Sequence, residues 1–331
     1  MSFLAIVFAL LIEQVRPLGH DNPVHAAVRA WNRWVSRSVD AGTVTHGWVA
    51  WGLAVGLPTG GSLLIYWLLE SLLGWPAAVL WNVAMLYVTL GFRQFSHHFT
   101  GIRDALGVGD EAQARELLAR WQRVDAHELP RSEIVRHVIE YSVLAAHRHV
   151  FGVLAWFAVL AALGLGPAGA VFFRVSEFVE RYWRHPVASR PMVSPALRAA
   201  ASQAWFLIDW VPARITALGF AVVGSFEEAV DAWRSQVQRD PQDNDGVILA
   251  AMSGAINVRL GGAVLPSAAV VPVVKTPDSS ESVAAAPGLD QAFPGREPEA
   301  AHLTQVVGLV WRSVVMWLVL LALLSFARLL G

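Results

Sequence analysis

Val306-Val-Gly-Leu-Val-Trp-Arg-Ser-Val-Val-Met-Trp-Leu-Val-Leu-Leu-Ala-Leu-Leu-Ser-Phe326 is an apolar run interrupted by one charge, Arg312, with Arg328 just beyond it. A helix rises 1.5 Å per residue, so about 20 apolar residues cross the hydrocarbon core of a bilayer. The run is expected to be a transmembrane helix. Outward from it lie more blocks of the same kind. Trp205 to Val223 is apolar but holds Asp209, Pro212 and Arg214; Val150 to Phe173 is broken by Gly164-Leu-Gly-Pro167. Trp75 to Phe92 forms a hairpin with Trp48 to Leu69, where Leu57-Pro-Thr-Gly-Gly-Ser62 predicts a kink. Residues 3–12 are apolar but too short for a straight crossing and end at Glu13 and Arg16, so they are read as an uncleaved, short or tilted first membrane segment.

Composition agrees. Of 331 residues 55% are hydrophobic and 15% charged, against roughly 25% charged in soluble domains. The expected fold is all-α: a multi-pass helical protein of the bacterial inner (plasma) membrane, with lipid as its main surrounding. The net charge of −1 gives no basic surface for nucleic acid. The chain has no cysteine, which removes disulfides and thiolate chemistry. Its single lysine, Lys275, follows Val271-Pro-Val-Val274 and not a glycine-rich run, so there is no Walker A site.

Three connections are basic. Residues 16–47 carry Arg16, Arg29, Arg33 and Arg37, residues 93–149 carry eight arginines, and residues 174–204 carry five. The positive-inside rule places the first two in the cytoplasm; the third conflicts with a simple crossing by 150–173, which either dips in and returns at Gly164–Pro167 or crosses fully. Residues 93–149 are expected to form cytoplasmic amphipathic helices. Asp110 would cap one whose inward face is Ala114, Leu117, Leu118 and Trp121, with Glu111–Arg115 and Glu116–Arg120 paired i,i+4. Residues 265–305 are rich in Pro, Ala, Ser and Glu without apolar periodicity, and are read as a flexible, disordered linker. It separates a helical membrane domain, 1–264, from a last span, 306–331.

Charges inside apolar blocks cost about 2.5–3.5 kcal/mol each on insertion scales, so Asp209 and Arg214 need protein or water around them. Five positions apart on one regular helix, they point about 140° away from each other and would pair only if Pro212 breaks the turn. Asp243-Asn-Asp-Gly246 suits a helix start, and Arg259 with Gly261 and Gly262 its end. Between them, Ala250 with Gly254 and Ala251 with Ala255 are small pairs that permit close helix packing. Histidines cluster at His97-His98 and His147-Arg-His149, and Glu133, His137 and Glu140 align on a helix. None of these makes the three or four converging ligands of a metal site, and none is assigned.

Two of these stretches resemble the CobD/CbiB family, membrane proteins of cobalamin biosynthesis known as adenosylcobinamide-phosphate synthases. Asp209-Trp-Val-Pro-Ala-Arg-Ile-Thr-Ala217 is similar to the family's Asp-x-x-Asn-x-x-Pro-Ala-Arg-Leu-Thr-Ala signature, and Ala250-Ala-Met-Ser-Gly-Ala-Ile-Asn-Val-Arg-Leu-Gly-Gly262 to its late glycine-ended block. Asp21-Asn-Pro-Val24, Gly109-Asp110, Arg123-Val-Asp125 and Val310-Trp-Arg312 extend the likeness along the chain. The resemblance implies amide-bond formation between an amino-alcohol phosphate and adenosylcobyric acid, with a corrinoid or the phosphate as ligand and a divalent metal as cofactor if active.

The chain also departs from the family. His147-Arg-His-Val-Phe-Gly152 stands where members show Glu-Asn-x-x-Asp-Gly, and Val175-Ser-Glu-Phe178 replaces Asn-Thr-Leu-Asp after Arg174. The resemblance leaves Glu140, Glu177 and Glu180 as catalytic candidates. Arg174, Asp209, Arg214, Asn244 and Arg259 are its substrate-binding candidates, expected to meet at one polar site, the arginines holding phosphate or carboxylate. Asp209-Trp-Val-Pro212 is similar to the related AmpE-type membrane proteins, which implies the alternative of a non-catalytic regulator presenting 93–149 to a protein partner.

Overall fold

The computed structural model describes residues 2–16, 23–122, 124–184, 193–262, 265 and 292–330. Its regular elements are helices: α1 (Ser2–Val15), α2 (Pro23–Ser38), α3 (Val44–Leu73), α4 (Trp75–Thr89), α5 (Phe92–Gly107), α6 (Glu111–Gln122), α7 (Arg131–Ala146), α8 (Gly152–Ala162), α9 (Ala168–Arg184), α10 (Pro195–Val223), α11 (Phe226–Arg239), α12 (Asn244–Ile256) and α13 (Ala300–Leu330). A π-helical turn, His147–Phe151, joins α7 to α8 without a break. Four helical stretches are long and apolar enough to cross a membrane: Val44–Leu73, Arg131–Ala162, Pro195–Val223 and Ala300–Ala327. The chain is a polytopic helical membrane protein. Asp21-Asn22, Arg123, residues 185–192 of the third basic connection, and 266–291 of the linker, Lys275 among them, lie outside the described residues, as do the side chains of His97 and Arg328.

Several boundaries differ from the sequence reading: α10 starts at Pro195, ten residues before Trp205 and within the third basic connection, and two others change the reading more. The helix expected to start at Val150 begins at Arg131, because the charges of 131–149 that suggest a water-facing surface are largely turned inward; Arg136 and His137 are buried. The last helix begins at Ala300, and residues before it are tied down: Arg259 N donates to Arg296 O at 2.8 Å and Phe293 N to Leu260 O at 2.7 Å. Residues 163–167 form a tight turn between α8 and α9, with Gly164 and Gly166 at φ of +79° and +51°.

The chain divides into two compact units, residues 1–94, 145–213 and 314–331 in the first, 95–144 and 214–313 in the second. In the first, Val35 of α2, Ala50, Ala54 and Val55 of α3, Val171, Val175, Val179 and Trp183 of α9, and Leu197 and Ala201 of α10 form a buried core. Helices α3 and α10 each contain an internal proline. Pro58 and Pro212 cannot donate to the carbonyls four residues back, Ala54 and Ile208. Each orphan is taken by an indole: Trp31 Nε1 donates to Ala54 O at 3.3 Å and Trp156 Nε1 to Ile208 O at 3.1 Å.

In the second unit Asp110 caps α6, accepting from Gln113 N at 2.9 Å, and Ala114 and Leu118 are buried. The expected pairs Glu111–Arg115 and Glu116–Arg120 are present. Helix α11, which the hydropathy reading passes over, packs on α12, and Gly254 is the closest point: a Cβ there would run into the backbone of Glu228 and Ala229. Helix α12 ends earlier than its glycines suggest, on Asn257 in the left-handed region at φ 53°.

Candidate functional site

The first unit buries one ionisable pair completely. Asp209 on α10 and His147 at the start of the π-helical turn are each 0% exposed, with His147 Nε2 2.7 Å from Asp209 Oδ1. Among the described residues Asp209 Oδ2 has no hydrogen-bond partner. A carboxylate in apolar surroundings is costly alone, and the imidazole supplies the donor that offsets it. The ring also meets the edge of Phe173, centroids 6.2 Å apart, and that phenyl fills the space over Gly152. Asp209 is thus partnered from another helix and not by Arg214, in agreement with their angular separation.

Helix α9 carries Arg174, Glu177, Glu180, Arg181 and Arg184 on adjoining turns. Arg174 Nη1 lies 2.5 Å from Glu177 Oε2, Arg181 Nε lies 3.4 Å from Glu177 Oε1, and Arg184 pairs with Glu180. Burial pushes the Glu177 carboxyl up, but the charges of Arg181, Arg174, Arg148 and His25 outweigh it and hold the group below its ordinary range. Glu177 is therefore an anchored carboxylate, better suited to fixing Arg174 than to exchanging a proton.

In the second unit Arg214 Nη1 donates to Asn244 Oδ1 at 2.9 Å, joining the proline-containing motif of α10 to the start of α12. Next to Asn244, Asp243 caps α12 by accepting from Gly246 N at 2.8 Å, while Gln236 Nε2 donates to its other oxygen at 3.1 Å. Burial raises the Asp243 carboxyl to about 6. Arg259 has an exposed side chain and a backbone fixed on Arg296.

Glu133, His137 and Glu140 do share a face, and Arg136 occupies the space among them. Its Nη2 lies 2.6 Å from Glu133 Oε2, its Nη1 donates to Glu140 Oε1 at 3.0 Å and to Gly261 O at 2.8 Å. Arg136 Nη2 is 3.0 Å from His137 Nε2, and a guanidinium only donates, so that nitrogen accepts and Nδ1 carries the proton toward Glu140, 3.4 Å away. Glu140 Oε1 in turn accepts from Gly261 N at 2.7 Å. The cluster clamps the glycine-ended loop. With a guanidinium at its centre it does not fit a divalent metal, and among the described residues no three His, Asp or Glu side chains gather as a metal set.

Of the five substrate-binding candidates, Arg174 and Asp209 fall in the first unit and Arg214, Asn244 and Arg259 in the second, and within the second Arg214 and Asn244 meet. Sequence reasoning missed His147 as Asp209's partner and Arg136 as the centre of the acidic cluster. The only available signal for either was a basic residue too deep in an apolar or alternating stretch to be facing water.

These motifs are matched by the sequence model of the family described as CobD/Cbib protein, over residues 2–281. The chain belongs to that family. Among its CobD/CbiB relatives, the cobalamin biosynthesis protein CobD of Stutzerimonas stutzeri is 30% identical over 328 residues, covering 96% of both chains. A protein of the same name from Chromobacterium violaceum is 31% identical over 180 residues, 54% of this chain and 55% of its own length. That of Mycobacterium tuberculosis is 30% identical over 230 residues, 66% and 69% of the two chains. No solved structure matches the chain. The CobD/CbiB match includes the segment His147–Gly152 and the helix bearing Asp209, where the buried pair sits.

Proposed function

We propose that this CobD/CbiB-family protein joins an amino-alcohol phosphate to a corrinoid side-chain carboxyl at the bacterial inner membrane, forming an amide. The observation that carries the reading is the Arg214–Asn244 hydrogen bond, which ties the Asp209–Ala217 motif to the start of α12, the helix that leads into the second family-like motif. Condensing an amine with a carboxyl releases water and needs negative charge on the acid and the phosphate to be offset. Guanidinium groups suit both, since their forked donors match carboxylate and phosphate oxygens. Asn244 orients Arg214, Glu177 anchors Arg174, and Glu140 with Arg136 sets the loop from which Arg259 extends. A divalent cation, if the reaction uses one, would be carried in with the phosphate, because the acidic cluster around Arg136 does not fit it. The relatives reported above support the cobalamin reading, and none supports the AmpE-like regulator with a protein partner at 93–149.

The test is complementation of a synthase-deficient strain supplied with cobyric acid. Growth is expected. Failure of a well-expressed, membrane-inserted copy removes the enzyme reading.

A further inference from the structure

Helix α3 carries two exposed tryptophans, Trp48 and Trp67. Their separation along the helix is about 28 Å, close to the thickness of a hydrocarbon core, so they mark its two boundaries. Helix α2 packs against α3 at the Trp48 end, where Val35 is buried with Ala50 and Ala54 and Trp31 reaches the Ala54 carbonyl. Counted along α3, Ala50 and Ala54 lie about 3 and 9 Å inside the Trp48 boundary, the depth at which an interfacial helix buries its apolar face, so α2 is held at the interfacial edge of the core.

At about 100° per residue α2 presents three faces. His25, Val28, Asn32, Val35 and Ser36 turn toward the protein and are buried or half-buried. Ala27, Ala30 and Trp34 form an exposed apolar face, with Trp34 54% exposed. Arg29, Arg33 and Arg37, spaced i,i+4, form a row of guanidiniums, and among the described residues none of the three is paired with a carboxylate. An apolar face with a large indole beside a row of unpaired cations, fixed at a membrane boundary, matches an interface in which hydrocarbon lies on one side and phosphate on the other.

We propose that α2 is an anionic-lipid binding surface, with Trp34 inserted at the acyl boundary and Arg29, Arg33 and Arg37 on phospholipid headgroups. The cysteine-free chain permits a direct test. The full-length protein carrying Trp34→Cys or Arg33→Cys is labelled with an environment-sensitive fluorophore and reconstituted into vesicles of phosphatidylcholine with phosphatidylglycerol. The label at position 34 should be quenched by nitroxide-bearing lipid and shielded from iodide, and the label at position 33 should show the reverse. Iodide quenching at 34 equal to that at 33, or shielding of 34 from both quenchers, as an acidic protein partner would cause, overturns the proposal.

Lipid choice is read separately, from the association of spin-labelled phosphatidylglycerol relative to spin-labelled phosphatidylcholine. The wild-type chain should favour the anionic lipid on the order of fivefold, the scale of one basic side chain near a charged surface. Replacing all three arginines by glutamine should bring the ratio to unity, and replacing them by lysine should retain it. Equal preference in the glutamine and lysine variants places the anionic-lipid contact elsewhere and overturns the assignment.

Discussion

Trp156 Nε1 and the Ile208 carbonyl form a 3.1 Å hydrogen bond that exists because Pro212, four residues on, has no N–H to offer. The indole completes a helix that its own sequence leaves open. Trp156→Phe should therefore destabilise the protein by about 1–3 kcal/mol, the cost of a buried unsatisfied carbonyl. In Pro212→Ala the helix can supply its own donor, so the same Trp156→Phe change should cost clearly less. Thermal unfolding of the four proteins of this cycle in detergent checks the coupling; equal costs in both backgrounds would reduce Trp156 to packing alone.

His147→Ala strands the Asp209 carboxylate in a fully buried place. The expected loss is about 3–5 kcal/mol, whereas replacing both residues by leucine should cost less than either polar residue left alone. Expression and melting of the single and double variants decide this.

Asp243 gives a pH signature. Its carboxyl is raised by burial from 3.8 to about 6, so the folded state binds the proton more tightly than the unfolded chain does. Its contribution is fully favourable below the unfolded value and is lost as pH rises through about 6, by roughly 3 kcal/mol at most. Asp243→Asn keeps a capping oxygen for Gly246 N. It should gain on the wild type as pH goes from 4 to 7 and show no further relative change above; a constant difference across that range contradicts the burial of the charge.

Gly254→Ala places a methyl against the Glu228–Ala229 backbone, which cannot move aside as a flexible side chain can. A loss of about 1–3 kcal/mol is expected from overpacking, read as a lowered melting temperature. Ser253→Ala one position earlier should instead cost the hydrogen bond that Ser253 Oγ donates to Val258 O at 2.7 Å, about 1 kcal/mol.

Arg214→Lys keeps the charge but not the fork that meets Asn244. Complementation should fall by an order of magnitude or more at unchanged membrane content. A fully active lysine variant would show that only charge is needed there.

What was legible in the sequence followed from hydrophobic period and length. The helices around Trp48–Leu69, Trp205–Val223 and Val306–Phe326 were readable because lipid asks for long uncharged runs, and Asp110 as a cap because its partner is three residues away. The start at Arg131 was not, since the charges of that segment satisfy one another around Arg136 and no local pattern announces it. The candidate site was legible in part. Arg214 stood out as a charge within an apolar run and Asn244 as part of a helix start, and the two are hydrogen-bonded. His147 and Asp209 lie 62 positions apart in the chain, and their pairing is a property of how two helices pack, on which local periodicity is silent.

The five-residue turn His147–Phe151 inserts one residue into an otherwise regular helix. An added residue turns everything beyond it by about 100°, so the turn acts as a phase adjuster, uncoupling the direction of α8's side chains from the rhythm of α7. Deleting a single residue there would keep the helix unbroken and its hydropathy unchanged, yet swing Gly152 and Trp156 off Phe173 and Phe172, the rings they now meet. A segment that would look undamaged by composition would have lost its bearing, and with it the alignment that sets an imidazole opposite a carboxylate.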